Sequence, residues 1–262
     1  MTQTYSRRSV LADLGAVGTA AVASRSLRQR EPPYTHYTYA KTDGGRLSVA
    51  WYETYNGSFQ EAQNGSTETN ATLVTDPTRA PLYVPEATGP VVTLGNVLPG
   101  DSGAVLFGLL AESFPTAEEG MTVWFQPTIA SNSEGTITEP ERADGDGPTP
   151  GGAATGGEPA DALRVQLFGD DGFLGGCDGQ FWLTDTPLTG VGSMPAVFDS
   201  LSGGIDLTAD RCLQEGERRC FGFTWELPAD VGNVVQTDGV VFDLSFVGLG
   251  CGADSPFSEG AV

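Results

Sequence analysis

The chain has 262 residues, with 13 Lys and Arg side chains against 34 Asp and Glu, so its formal net charge is −21 and its pI is near 4.1. Nucleic acid and anionic membrane surfaces are excluded as partners, because no basic stripe offsets the repulsion between like charges. Hydrophobic residues make up 39% of the chain and aromatic residues 9%, which is ample for a packed core and argues against intrinsic disorder.

The acidic excess is larger after the first 30 residues, which hold five arginines and one aspartate. The remainder carries eight basic against 33 acidic groups, and Lys41 is its single lysine. A chain of this composition stays hydrated in very high salt, where the repulsion between its charges is screened within a few ångströms. The composition therefore indicates a halophilic protein.

The N-terminal segment has the features of an export signal. Arg7 and Arg8 form a twin-arginine signature, and the apolar stretch 9–23 ends in an A-x-A cleavage site at Ala23. The stretch is too short to span a bilayer. We predict a twin-arginine signal peptide within residues 1–30, cleaved after Ala23, no membrane insertion after cleavage, and an extracellular or cell-surface location.

The segment after the signal alternates like a strand and contains the only histidine of the chain, His36. A histidine in this pattern is expected to be a sheet or surface residue, not a general base. The strand consists of Tyr34, Thr35, His36, Tyr37, Thr38 and Tyr39.

Apolar residues recur at every second position throughout the rest of the chain, separated by turns rich in Gly, Pro and Asp. This period is typical of strands with one buried face, and it predicts an all-β, jelly-roll-like antiparallel sandwich in a single domain, 31–262. One short helix is predicted after Ser193. Segment 139–161 is expected to be a long solvated loop, because Gly, Pro, Asp and Glu fill 16 of its 23 positions. The alternating sets are Leu47, Val49 and Trp51; Met121, Val123 and Phe125; Leu163, Val165 and Leu167; Phe221, Phe223 and Trp225; and Phe242, Leu244 and Phe246.

Three N-x-S/T sequons lie in a polar stretch, at Asn56, Asn64 and Asn70. Such matches often arise by chance, but three within 17 residues of a polar loop favour glycosylation of at least one.

Export makes the four cysteines candidates for two disulfides, and three connectivities are possible. Seven residues separate Cys212 from Cys220, which favours a pair across a tight connection, and Cys177 would then pair with Cys251.

No catalytic, metal or cofactor site is predicted. Gly100-Asp101-Ser102-Gly103 matches the nucleophile turn of chymotrypsin-like proteases, but only 66 positions separate His36 from Ser102, too few for the two barrels of that fold. The motif also fits a simple turn. Asp144 and Asp146 superficially resemble a calcium loop, but Pro148 takes the third ligand position. Pairs of carboxylates for glycoside hydrolysis remain open, although nothing in the sequence selects one pair.

Several ordered motifs resemble the TasA/camelysin family as found in halophilic archaea, and together they span most of the chain after the signal. The resemblance implies a secreted jelly-roll protein that associates with itself into extracellular fibres or pili of the biofilm matrix. The motifs are WYETYNG (51–57), LGNVLPGDSG (94–103), EPE (139–141), FGFTWELP (221–228), VGNVVQTD (231–238) and FDLSF (242–246).

The resemblance also implies that the strand from Tyr34 to Tyr39 is donated to a neighbouring subunit. Other cell-surface components are further candidate partners. Some family members carry a metallopeptidase label, but no zinc ligand set supports its transfer to this chain. The alternative interpretation is a secreted hydrolase, a peptidase-like camelysin homologue that acts at the cell surface.

Overall fold

The computed structural model describes residues 36–42, 45–60, 67–69, 90–114, 120–147, 156–170 and 185–257. All of them belong to one compact unit, Pro32–Val262. The predicted all-β class is confirmed, because two mainly antiparallel sheets pack against each other as a sandwich. The strands are β1 (His36–Thr42), β2 (Arg46–Tyr55), β3 (Ser58–Gln60), β4 (Thr67–Thr69), β5 (Pro90–Gly95), β6 (Ser102–Ser113), β7 (Met121–Ser133), β8 (Arg164–Gly169), β9 (Thr186–Pro187), β10 (Gly192–Ser193), β11 (Ile205–Asp206), β12 (Arg218–Glu226) and β13 (Gly239–Gly250).

The first sheet has the order β10-β8-β12-β6-β2-β1, and the second has β7 and β5 on opposite edges of β13. β11 extends the second sheet beyond β7, and β4 extends it beyond β5. Most connections cross from one sheet to the other, as from β5 to β6, from β6 to β7 and from β12 to β13. Both inner faces are therefore built from strands distant in sequence.

The core between the sheets is rich in phenylalanine. The ring of Phe107 lies 5.0 Å from that of Phe246 and 5.9 Å from that of Phe125, and Phe223 contacts Phe242 at 5.3 Å. Such aromatic pairs add to the stabilisation that burial of their area gives. Phe125, Phe223, Phe242 and Phe246 belong to the alternating apolar sets of the sequence, and Phe107 lies in β6. All five rings are at most 2% exposed.

Among the residues that the structure describes, three short helices accompany the strands: α1 (Glu139–Ala143), α2 (Pro159–Ala162) and α3 (Met194–Ser200). The last confirms the helix predicted after Ser193, and it buries Val197 and Phe198. Within the described residues, no helix has the length and apolar character needed to cross a membrane.

The prediction of a solvated loop over residues 139–161 is wrong at both ends of the segment. α1 and α2 occupy these ends, and Glu141 of α1 is completely buried. The backbone N–H of Thr138 donates to the Glu141 carboxylate, an arrangement that fixes the start of α1 with its acidic residue turned inward. Residues 148–155 of this segment lie outside the described residues.

The predicted pairing of the cysteines is also wrong. Cys212 is bonded to Cys251, 39 positions away, and Cys220 is disulfide-bonded as well. The first strand residue of β7, Met121, explains the pairing, because it bridges to Leu213 on one edge and to Gly250 on the other. These bridges bring Cys212 and Cys251, the chain neighbours of Leu213 and Gly250, to the same end of β7, where their Cα atoms lie 5.7 Å apart, and their spacing in the sequence cannot reveal this. Cys177 lies outside the described residues.

Candidate functional site

The strand β1 lies at the seam between the two sheets. It pairs antiparallel with β2 through five residue pairs, from His36 with Trp51 to Ala40 with Leu47. It then pairs in parallel with β13, where Thr42 is opposite Gly248. One N-terminal strand therefore supplies backbone partners to both sheets.

The part of β2 that pairs with β1 carries core side chains. Leu47, Val49 and Trp51 are completely buried, and the opposite edge of β2 is paired with β6 along its whole length. Removing β1 would leave the N–H and C=O groups of a central strand without partners, which is the situation that sheet edges normally avoid.

Gly248 allows β1 to approach the second sheet closely. A Cβ at this position would lie 2.4 Å from the Met121 Sδ and 3.2 Å from Cγ2 of Thr42. The lack of a side chain here therefore makes room for the end of β1 beside β13.

Of the residues predicted to form the donor strand, His36, Tyr37, Thr38 and Tyr39 lie in β1, and the strand prediction for them is confirmed. The remaining two donor-strand residues, Tyr34 and Thr35, lie outside the described part of the chain. So do the twin arginines of the predicted export signal, Arg7 and Arg8, and two of the sequon residues, Asn64 and Asn70.

Asn56, the remaining sequon residue, forms the turn between β2 and β3 together with Gly57. Both have positive φ angles, 48° and 72°, as a two-residue hairpin turn of type I′ requires. The Asn56 Nδ2 donates to Oδ1 of Asp101 at 2.7 Å, and Oδ1 of Asn56 accepts from the Ser102 N–H at 2.9 Å. The side chain that a glycan would modify therefore holds two turns together.

The G-D-S-G motif is predicted to be a turn, but only its first half lies in one: the turn ends at Asp101, and Ser102 and Gly103 begin β6. The N–H of Asp101 donates to the carbonyl of Leu98, and the Asp101 carboxylate accepts from the Tyr55 hydroxyl and from the N–H of Leu98. Burial raises the pKa of Asp101, but the hydrogen bonds from Asn56, Tyr55 and Leu98 outweigh it and hold this pKa below its usual value.

The last glycine of that motif has a packing role. A Cβ at Gly103 would lie 2.6 Å from the ring of Trp225 and 2.5 Å from the carbonyl oxygen of Thr54. The motif therefore combines a turn with the close approach of an aromatic ring, and neither feature requires a nucleophile.

A group of acidic side chains gathers where β7 ends and β13 begins. Glu134 follows β7, Asp238 precedes β13, and Glu158 precedes α2. One carboxylate oxygen from each of the three lies within 4.8 Å of the other two, and one oxygen each from Glu134, Glu141 and Asp146 lie within the same distance of one another. These oxygens could hold a metal ion, and this is the group of carboxylates that the sequence could not select.

Electrostatic repulsion is strong in this cluster. Burial, together with the negative charges of Asp238, Asp146 and Glu158, raises the pKa of Glu134 to about 7. Burial and the neighbouring Asp238 and Asp146 raise the pKa of Glu158 to about 7. The arrangement therefore disfavours the charged form of two glutamates unless a positive charge is supplied.

Comparison with protein-family models, with curated proteins and with solved structures found no match to this chain. The resemblance to the TasA/camelysin family therefore remains an interpretation of its sequence motifs.

Proposed function

We propose that this protein is a secreted structural subunit that assembles into extracellular fibres by exchanging β1 between neighbouring chains. The observation that carries the proposal is the position of β1 at the seam, where it pairs with β2 and β13 by backbone hydrogen bonding. It comes first in the described chain, so it can leave its own domain without breaking any other connection.

Exchange of β1 between chains would conserve the backbone pairing that β1 makes with β2 and β13 within one chain. A strand from a neighbour can pair with β2 and β13 in the same registers, because strand addition depends mainly on main-chain hydrogen bonds. Each chain gives its strand to one neighbour and accepts one from another. Such head-to-tail contacts propagate into an open filament when their rotation does not close into a ring. Asp43-Gly44-Gly45 follows β1 directly in the sequence, and glycine is the residue type with the widest range of allowed backbone conformations.

A pair of engineered cysteines tests the exchange directly. Tyr37 and Ala50 are opposite each other in the β1–β2 register, and Ala50 lies in the first sheet next to the core positions. We expect Tyr37→Cys/Ala50→Cys to form a disulfide within one chain when it is oxidised before assembly, which locks β1 in place and prevents fibres. When the same variant is oxidised after assembly, the bond should join neighbouring chains.

The readout is a non-reducing gel together with electron microscopy in high salt. Oxidation after assembly should give a ladder of covalent multimers, and oxidation before assembly should give monomers and no fibres. The single variant Ala50→Cys is the matched control and should give no ladder beyond dimers. Fibres that yield only monomers after oxidation would show that β1 is not exchanged.

The alternative of a secreted hydrolase predicts activity that does not depend on assembly. A peptidase or glycosidase assay on the locked variant separates the two functions, because the lock leaves every described side chain outside β1 and Ala50 unchanged. Hydrolysis by both the locked and the unlocked chain would favour the alternative.

A further inference from the structure

Five carboxylates form two triads that share Glu134. The first triad contains Glu134, Glu158 and Asp238, and the second contains Glu134, Glu141 and Asp146. Within each triad, one oxygen from each of the three carboxylates lies within 4.8 Å of the other two. At such distances, like charges repel strongly unless they are neutralised.

Several oxygens of this cluster are buried and have no hydrogen-bond partner. Glu141 is completely buried, and its Oε1 has no partner although its second oxygen accepts from Thr138. Glu134 Oε1, Glu158 Oε2 and Asp146 Oδ2 are likewise buried and unpartnered. A buried, unpartnered carboxylate oxygen costs free energy, so native proteins satisfy such atoms with a donor, a water or an ion.

No cationic side chain compensates the cluster within the described part of the chain. The acidic partners in the ion pairs of the described residues are Glu112, Glu139, Asp210 and Glu217. None of them is one of the five cluster carboxylates. The acidic residues of a halophilic surface gain their stability from hydration, whereas these oxygens are withdrawn from solvent. Adaptation to salt therefore does not explain them.

The backbone holds the cluster in a defined arrangement. Oδ1 of Asp238 accepts from the N–H of Gly135 at 2.8 Å, and its Oδ2 accepts from the N–H of Glu158 at 3.3 Å. A Cβ at Gly157 would lie 2.5 Å from the carbonyl oxygen of Ser133 and 2.9 Å from Oδ2 of Asp238. This glycine therefore lets the segment before α2 approach the end of β7 closely enough to bring the carboxylates together.

We propose that this cluster binds divalent cations of the calcium class, with Glu134 as the ligand common to both triads. Only oxygen donors converge here, as hard cations prefer, and the absence of His or Cys from the two triads disfavours zinc. Calcium accepts six to eight oxygens in flexible geometry, including bidentate carboxylates, whereas magnesium demands a near-ideal octahedron. Two calcium ions, one in each triad, would neutralise four of the five carboxylate charges, and a single ion beside Glu134 would neutralise two of them.

The bound cation would connect four parts of the chain: the end of β7, the start of β13, α1 and the residue before α2. It would thereby fasten both described ends of the acidic 139–161 segment to the second sheet. Bound calcium would stabilise the domain whether or not the chains assemble into fibres.

Calcium uptake by the purified chain tests the proposal. The protein is treated with a chelator in molar KCl and dialysed against Ca²⁺, and bound calcium is measured by elemental analysis. We expect one or two calcium ions per chain, weaker retention of Mg²⁺, and an unfolding midpoint that rises on addition of Ca²⁺. Equal retention of Mg²⁺ would overturn the assignment to the calcium class.

Glu134→Gln removes the shared ligand and one charge while it keeps the shape of the side chain. We expect it to lose calcium retention and the calcium-dependent rise of the midpoint. Its midpoint in chelator should equal or exceed that of the unaltered chain, because repulsion is relieved, and this shows that the variant folds. Glu158→Gln provides a second test with the same expected result.

The matched control is Glu139→Gln, which removes one charge from α1 at a side chain that is 89% exposed and belongs to neither triad. It should retain calcium like the unaltered chain. The proposal is overturned if the unaltered chain retains no more calcium than Glu134→Gln, or if the Glu139 variant loses as much as the Glu134 variant.

Discussion

Asn56 and Asp101 are joined side chain to side chain, with the amide Nδ2 of one 2.7 Å from Oδ1 of the other. Their contact ties the hairpin turn between β2 and β3 to the turn that precedes β6. The same asparagine accepts from the N–H of Ser102. Two motifs with functional associations, a sequon and a G-D-S-G turn, therefore interlock as one structural unit.

The carboxylate of Asp101 should be important for stability. It accepts from Tyr55, Asn56 and Leu98, so Asp101→Ala leaves three donors without their acceptor. We expect a loss of about 1–3 kcal/mol in the free energy of unfolding, because hydrogen bonds to charged groups are stronger than neutral ones and this site is partly exposed. Urea unfolding at constant high salt measures it.

Ser102→Ala is the control for this measurement, since the hydrogen bond of Ser102 to Asn56 uses its backbone N–H. Its stability should change by no more than about 0.5 kcal/mol. Loss of a hydrolytic activity in this variant with the fold intact would contradict the interpretation that Ser102 has no catalytic role.

Low pH should remove the contribution that the Asp101 carboxylate makes to the free energy of unfolding. Its pKa in the folded chain lies below the usual value of 3.8, so its ionised form stabilises the fold above that pH. As the pH falls below about 4 towards the folded pKa, the unfolded chain binds the proton first and the stabilisation is lost. The difference in unfolding free energy between the unaltered chain and Asp101→Asn should therefore shrink between pH 5 and pH 2. A difference that stays constant over this range would contradict the pKa shift.

The disulfide between Cys212 and Cys251 can be checked by peptide mapping. Trypsin and a glutamate-specific protease should release residues 212–215 linked to residues 227–259, separate from the peptide that contains Cys220. The bond closes a loop of about 40 residues, so Cys212→Ser/Cys251→Ser should cost up to about 4 kcal/mol if the bond acts by restricting the unfolded chain. Recovery of residues 212–215 linked to Cys220 would contradict the pairing.

Sequence periodicity predicted the strands well because burial of one face of a strand determines both the alternation of apolar residues in the sequence and the packing of the strand in the sandwich. Leu47, Val49 and Trp51 alternate in the sequence, and all three are completely buried in β2. Even the short helix after Ser193 has a local signal, in its N-cap residue and its proline at the start.

The carboxylate cluster and the disulfide depend instead on contacts between distant segments. Glu134 and Asp238 meet because β7 and β13 pair with Ser133 opposite Gly239, a register that no local pattern specifies. Composition made the 139–161 segment resemble a solvated loop, although burial of Glu141 shows that its acidic residues take part in the fold. A signal existed in Thr138 and Glu141, whose spacing fits a capping box at the start of α1.

Stability should also depend on ionic strength. With 33 acidic against eight basic groups after residue 30, dilution of salt lengthens the range over which these charges repel one another. We expect the unfolding midpoint to fall substantially between about 3 M and about 0.1 M KCl. A midpoint that does not move would contradict the halophilic interpretation.

Removal of the N-terminal strand should separate folding from assembly. Deletion of residues 24–41 takes away all of β1 except Thr42, so the edge of β2 from Leu47 to Trp51 loses its partner. We expect a folded monomer of reduced stability that forms no fibres. The vacated edge should accept a synthetic peptide of residues 34–42, because the register with β2 and β13 is available to any chain of that sequence.

The peptide should raise the unfolding midpoint of the truncated chain and bind it at one molecule per chain. A peptide of the same composition in scrambled order is the control and should do neither, since its alternation no longer matches the edge of β2. Saturation with the native peptide should leave the truncated chain monomeric, because the groove is filled but no strand remains to donate. Fibres from the truncated chain, with or without peptide, would show that subunits associate through another surface.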